Sequence, residues 1–278
     1  MLEGFDTKVT SREPLLELKL GELWDRRDML VFLVLRDFKI RFKQSALGVA
    51  WALLQPLATT LVFTYFIGGA MNIQFDGPYP LYFLSGLMIW NAFAKTFGNG
   101  TLSLVNEAEL IRKVYFPRMI LPIYQAFSVL TDLVIAMVIF AGLCLWYGHA
   151  PGIEIFWAIP FLFLTMLAGI AISLWLGPVN VRFRDIQIVL PLITQLLFVA
   201  SAVMFPIRNL GSLEHGVGFW LAVFNPMIGI VEGFRLALLG EGNPFQTANM
   251  ISYGLVVLLF LGGVAFFNTS QRRFADVI

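Results

Sequence analysis

Charge is what this sequence has least of. Only 13% of its 278 residues are Asp, Glu, Lys or Arg, about half the share of soluble globular domains, while 58% are hydrophobic. That balance excludes an ordinary water-soluble domain and leaves a polytopic membrane protein. Cysteine is equally scarce. The single one, Cys144, lies in an apolar run, so neither a disulfide framework nor a thiolate metal centre is available. The two histidines, His149 and His215, stand far apart in loop-like sequence. A net charge of +1 gives no global field that would attract nucleic acid. No stretch has the G-x-x-x-x-G-K-[ST] spacing that cradles nucleotide phosphates; beyond Lys95 the only lysine is Lys113, without a glycine-rich approach. H-E-x-x-H, paired aspartates and a Ser/His/Asp set are missing too, and isolated serines within apolar runs are read as helix-packing residues. No catalytic residue, bound cofactor or metal ligand is therefore expected in this chain, and uphill work would need a partner or an ion gradient. The first forty residues are charged and lack the continuous apolar core of a cleavable signal peptide.

What the sequence does have is long apolar runs. A membrane-crossing helix needs about 20 largely apolar residues at about 1.5 Å each, and such runs fall at about 48–71 (with Pro56 as an expected kink), 80–98, 120–147, 155–179, 187–205 and 250–268. Residues 216–239 are apolar enough to be a seventh, but Asn225-Pro226 breaks their middle and Glu232 and Arg235 follow. The basic residues decide the count. With six crossings, sixteen of the nineteen Lys and Arg fall on one side: nine before the first span, three in the 101–118 loop, two at 182–185 and two in the tail. This obeys the positive-inside rule with both termini cytoplasmic, whereas a seventh crossing would carry Arg272 and Arg273 outside. The expected fold is all-α: a cytoplasmic segment (1–45), then a transmembrane domain (46–278) with six helices. Residues 208–244 are expected to form short extracytoplasmic helices that dip into the membrane before the last span.

In the first segment, Leu35, Phe38 and Phe42 share one helical face while Arg36, Lys39 and Lys43 line another, with Arg41 between. That pattern suits an amphipathic helix lying in the cytoplasmic interface, and equally a basic anchor that sets topology. Asp132 near mid-span costs about 2.5–3.5 kcal/mol on insertion scales if left to lipid. It is expected to line a hydrated path, to pair with a cation such as Lys95, or to be a hydrogen-bonded packing residue. Lys95 is read as snorkelling from the cytoplasmic end of its span. Phe63, Tyr65 and Phe66 leave the first span on the side where Tyr82, Phe83 and Trp90 enter the second; interfacial belts account for aromatics there, and a conduit on which sugar rings stack is the alternative. In "NPMIGIVEGFR" (225–235), Asn225-Pro226 signals a helix start and Glu232 and Arg235 stand at i,i+3, as in a short helix that caps the outer ends of the spans.

"NEAELIRKVYFPR" (106–118) is a charged island between apolar runs. Asn106 as N-cap with Glu109 three residues on predicts a capping box; acids first and Arg112 and Lys113 last match the helix dipole; Pro117 ends the helix at Phe116. A helix this short is unstable in water by itself, so Leu110, Ile111, Val114 and Phe116 are expected to anchor it to a surface, either its own bundle or a partner. Together with "SALGVAWALLQPL", "NVRFRD", "FPI", "NPMIGIVEGFR" and the tail "RRFADVI", this stretch resembles the ABC-2-type permeases that export polysaccharides, nearest to the O-antigen branch, with capsule and teichoic acid exporters as neighbours. The resemblance runs from about residue 25 to the C-terminus. It implies a homodimer in the bacterial inner membrane, two copies of a separate cytoplasmic ATPase that binds ATP and Mg, a lipid-linked polysaccharide as cargo, and no nucleic acid. It implies that residues 106–118, Arg118 included, form the coupling helix on the ATPase, supported by Arg182, Arg184 and Asp185. It also implies that residues 28–43 form an interface helix, and that Asn225, Pro226, Glu232 and Arg235 lie at the extracytoplasmic exit. "SAVMFP" stands where the family often has a Ser-Pro pair, so the geometry around Ala202 is expected to differ. A membrane-bound transferase acting on lipid-linked sugars is the rival from another class.

Overall fold

A computed structural model describes residues 20–43, 49–68, 77–114, 116–206 and 215–271. The expectations for residues 1–19, for Arg208, for the tail with Arg272 and Arg273, and for the side chains of Arg41 and Phe42 lie outside the described residues. Within them every regular element is a helix. In chain order these are α1 (Leu20–Asp25), α2 (Arg27–Lys43), α3 (Val49–Phe63) continued by a π-turn at Thr64–Gly68, α4 (Tyr79–Asn106), α5 (Ala108–Lys113), α6 (Ile120–Tyr147), a 3₁₀ turn at Ile153–Trp157, α7 (Ala158–Arg182), α8 (Ile186–Ala200), α9 (Gly216–Phe224), α10 (Pro226–Leu239) and α11 (Thr247–Gln271).

Four of these are long and apolar enough to cross a membrane: Ala50–Gly68, Ile120–Tyr147, Ile153–Arg182 and Thr247–Gln271; a fifth is added if α9 and α10, bent by 86° at their junction, count as one span. Their exposed faces are those of lipid-immersed helices, with Leu145, Ile159, Phe163 and Leu258 each at least 64% exposed. Six crossings are thus met in part. α8 is 15 residues long, short of the about 20 a crossing requires. α4 spans 28 residues and is the buried centre of the bundle, packed by α6, α7 and α10. Most of its length is enclosed by protein, while Asn91 and Lys95 are half-buried and Asn99 is exposed.

The end expected at Gly98 is a correction. α4 continues to Asn106, with Gly98 against Leu190 of α8 and Gly100 closely packed on α7 instead of terminating the helix. A Cβ on Gly100 would meet the Ser173 side chain at 2.9 Å, and one on Gly169 would meet Thr96 at 2.6 Å, the small-residue contact by which membrane helices approach. Pro56 sits within α3 without ending it. α6 stops as helices commonly do, with Gly148 left-handed at φ 69° and its amide bonded to the Cys144 carbonyl. α8 ends at Ala200, short of the expected 205, and Ala202 takes φ 53°.

Candidate functional site

Three groups of side chains combine charge with position. The first lies at the end of the bundle where α4 and α6 meet α5. The expected capping box is not formed: α4 runs through Asn106, and the residue that breaks it from α5 is Glu107, at φ −102° and ψ 23°, with no side-chain cap on α5. The physical reason is that Asn106 remains helical within α4 and Glu109 accepts from Lys113 at 3.1 Å instead, while Glu107 is engaged with another helix. Its carboxylate takes both arms of the Arg36 guanidinium, Nη1 at 3.0 Å on Oε2 and Nη2 on Oε1, a charge-assisted fork–fork pair. The Tyr124 hydroxyl reaches Oε1 at 3.5 Å and accepts from Gln125 Nε2 at 2.6 Å. Glu107, and after it Asp37, hold the Arg36 guanidinium above its usual value against the opposing effect of partial burial. Arg36 therefore ties α2 to the α4–α5 break, where its place on the cationic face had pointed to headgroups. Lys39 and Phe38 on the same helix are exposed.

α5 rests on its own bundle. Phe116 is buried among Leu33, Leu104, Ile120, Tyr124, Leu174 and Phe267, and Leu110 and Ile111 pack against that cluster. Pro117 and Arg118 form the turn into α6, where Arg118 Nη1 donates to the Gln271 carbonyl at 2.8 Å. The face left to solvent carries Asn106, Glu109, Arg112, Lys113 and Val114. Of the two surfaces open to the expected apolar anchors, Leu110, Ile111 and Phe116 occupy the chain's own. The α7–α8 turn lies at the same end, since Asn180 Nδ2 donates to the Thr101 carbonyl at 3.4 Å, and exposes Arg182, Arg184 and Asp185.

The second group closes the opposite end. Asn225 caps α10 by accepting from the Met227 amide at 3.2 Å, with Pro226 in its first turn. One helical turn apart, Glu232 and Arg235 pair at 3.3 Å with side chains 9% and 1% exposed. Arg235 also donates to the Ala202 and Val203 carbonyls at 3.0 and 2.7 Å, and its guanidinium lies 3.6 Å from the centre of the Tyr82 ring. These bonds hold the chain leaving α8 where Ala202 is left-handed, a conformation that costs a non-glycine residue about 1–2 kcal/mol.

The aromatic residues divide. Tyr82, Phe83 and Trp90 are buried in the chain's own core: Phe83 stacks on Phe63 at 4.7 Å, and Trp90 packs on Phe93 and Phe198. Tyr65 and Phe66, at 77% and 62% exposure, are the two that face outward. In the third group, Lys95 Nζ lies 2.7 Å from Asp132 Oδ2. Lys95 is therefore not a snorkelling residue at a helix end but half of an ion pair joining α4 to α6. Sequence reasoning passed over Glu107 as a partner, Tyr124, Gln125, Asn91 and Gln55. Only the four-residue spacing of Asn91, Lys95 and Asn99 signalled any of them.

Residues 29–239 match the ABC-2 type transporter family. Over its length the chain is 24% identical to the O-antigen export system permease protein RfbA of Klebsiella pneumoniae, covering 95% of this chain and 98% of that protein. It is 25% identical to the protein of the same description from Myxococcus xanthus, covering 92% and 98%. To the polysialic acid transport protein KpsM of Escherichia coli it is 27% identical over 86% of this chain and 92% of that one.

Proposed function

Because the chain belongs to the ABC-2 type transporter family, we propose that it is the permease subunit of an ATP-binding cassette exporter carrying a lipid-linked polysaccharide, most closely O-antigen, across the bacterial inner membrane. The observation that carries this reading is end-to-end coverage: 264 residues align with 98% of an O-antigen export permease, so a whole permease is shared, not one segment of it. The polysialic acid relative, aligned over 251 residues, supports export of a capsular polymer as the second reading.

In this reading the chain is a transport subunit and pairs with a second copy. α3, α4, α6, α7 and α11 are crossings, the 15-residue α8 completes a sixth together with the chain at 201–206, α9 and α10 dip into the outer leaflet, and both termini are cytoplasmic. Each copy engages a cytoplasmic ATPase that binds ATP and Mg. The exposed charged face of α5, with Arg182, Arg184 and Asp185 beside it, meets that ATPase. Leu110, Ile111 and Phe116 weld α5 to the bundle, so a push on α5 enters α4 and α6 instead of bending a loop. Arg36 on Glu107 passes the same push to the interface helix α2. Tyr65 and Phe66 offer stacking faces to sugar, and Asn225, Pro226, Glu232 and Arg235 frame the exit.

The test is complementation. In a bacterium deleted for its own O-antigen permease, this chain co-expressed with a cognate ABC ATPase should restore surface O-antigen when the matching glycan is made. Restoration of a capsular polymer alone would establish the second reading. Restoration of neither, with the complex assembled, rejects both, and transferase activity in the purified single chain would turn the assignment to an enzyme.

A further inference from the structure

The Lys95–Asp132 pair sits deep in the bundle. Lys95 lies eleven residues before the end of α4 and Asp132 twelve after the start of α6, about 16 and 18 Å from the shared end of the two helices at 1.5 Å per residue. In a hydrocarbon layer about 30 Å thick, both are near the middle. Yet the Lys95 side chain is 40% exposed, and it opens into a cavity of about 60 Å³ lined also by Ala52, Gln55, Pro56 and Asn91. A charge at this depth does not face lipid tails, so water, a polar ligand or protein must occupy the opening.

Three features make the opening polar well beyond the pair. Pro56 has no amide proton, so the Ala52 carbonyl one turn earlier lacks its helical donor, and both residues line the cavity. Asn91, Lys95 and Asn99 follow one another at four-residue spacing on one face of α4. On α6, Gln125 precedes Asp132 by two turns and adjoins the Arg36–Glu107–Tyr124 cluster. Asn99 and Gln125 lie beyond the cavity's own lining and place polar side chains on α4 and α6 between it and that end of the bundle.

We propose that Gln55, Asn91, Lys95, Asn99 and Asp132 form a hydrated seam that hydrogen-bonds the hydroxyl groups of the polysaccharide during its passage. This deepens the proposed export function and rests on it. The chemistry selects the ligand. Asp132 neutralises Lys95, so there is no surplus cation to hold a diphosphate, whereas carboxylate, ammonium and carboxamide side chains together supply both donors and acceptors to a neutral polyol. The cavity has room for the edge of one sugar or a few waters.

The test uses the full chain in complex with its ATPase in membranes. Asn91→Cys, Asn99→Cys and Gln55→Cys are each made on a Cys144→Ala background and treated with a charged, water-soluble methanethiosulfonate. The control is Val138→Cys, whose parent side chain is 64% exposed on the same helix as Asp132. The seam positions should react about tenfold faster than the control or more, as charged reagent enters water and not lipid. Equal rates overturn the seam, including the case in which a second copy seals it. Modified Asn91→Cys complexes should then stop exporting while still hydrolysing ATP; export at the unmodified rate makes the seam a water pocket only and removes the sugar assignment. As an independent arm, Lys95→Met with Asp132→Leu should lower export about tenfold with assembly unchanged, and full export in that variant also overturns the sugar assignment. Labelling is read without transport, and export by the unmodified chain reports separately on the permease reading, so the two failures are distinguishable.

Discussion

Two arginine–glutamate pairs mark the two ends of this molecule, and they are built in opposite ways. Glu232 and Arg235 belong to one helix, three residues apart and almost sealed from solvent, with two backbone carbonyls and an aromatic face completing the site. Arg36 and Glu107 are 71 positions apart in sequence; they join α2 to the α4–α5 break, with side chains 28% and 15% exposed. The first pair cannot separate without leaving a buried charge, so it locks the end of α8 to α4 and α10. The second is partly open to water, which in the proposed export cycle suits a joint between elements that move. On the proposed function, one end of the bundle is clamped and the other is articulated.

Removing the clamp should have the largest effect. Arg235→Ala leaves Glu232 buried without its partner, a class of change that costs about 3–5 kcal/mol; the measurement is thermal unfolding of the purified protein in detergent, and an unchanged midpoint would show that the end is not clamped. Arg235→Lys should recover only part of the loss, because an ammonium cannot reach two carbonyls and a carboxylate as a planar fork does. Gly86 probes the same clamp from α4: a Cβ there would meet Arg235 Nη2 at 2.8 Å. Gly86→Ala should cost about 1–3 kcal/mol as overpacking, and much less if Arg235 can withdraw.

The articulated end predicts a different split. Glu107→Gln keeps a polar group beside Tyr124 but loses the charge pair, and should cost about 1–2 kcal/mol. If the proposed export function holds, the variant assembles with the ATPase and hydrolyses ATP, with export falling by more than the small stability loss explains. Exchanging the two residues, Arg36→Glu with Glu107→Arg, should recover export. Export and hydrolysis that fall in step would make this pair a second clamp and erase the contrast.

The two ends were unequally legible. Asn225-Pro226 and the i,i+3 spacing of Glu232 and Arg235 are local signals, and the helix, its cap and the pair all follow from them. What spacing does not carry is that Arg235 reaches the chain leaving α8, so its burial was not foreseen. At the other end packing overrides the local signal for a capping box at Asn106: α4 runs on through Gly100, to which α7 presents the small Ser173, and Glu107 pairs with Arg36. Phe116 reads as an anchor from sequence alone, but which surface it anchors to depends on six helices converging around it. The same limit applied to Tyr82, Phe83 and Trp90, whose position near a span end is common to belt, conduit and core; packing put them in the core.

The smallest effect tests whether the exposed face of α5 has any structural role. Glu109 and Lys113 pair at 3.1 Å in an i,i+4 arrangement, but their side chains are 86% and 73% exposed, and such pairs are worth about 0.5 kcal/mol or less. Glu109→Ala should therefore leave the unfolding midpoint where it is. So should Arg112→Glu with Lys113→Glu, because both parent side chains lie in solvent. If α5 meets a partner through this face, the double reversal abolishes co-purification of the ATPase from a protein of unchanged stability. Leu110→Asp, by contrast, should lower stability first and lose the ATPase only as a consequence. Retained association in the charge-reversed protein would move the docking surface to the α7–α8 turn, with Arg182 and Arg184 as the next residues to reverse, and the articulated end would then be driven from a point two helices away from Glu107.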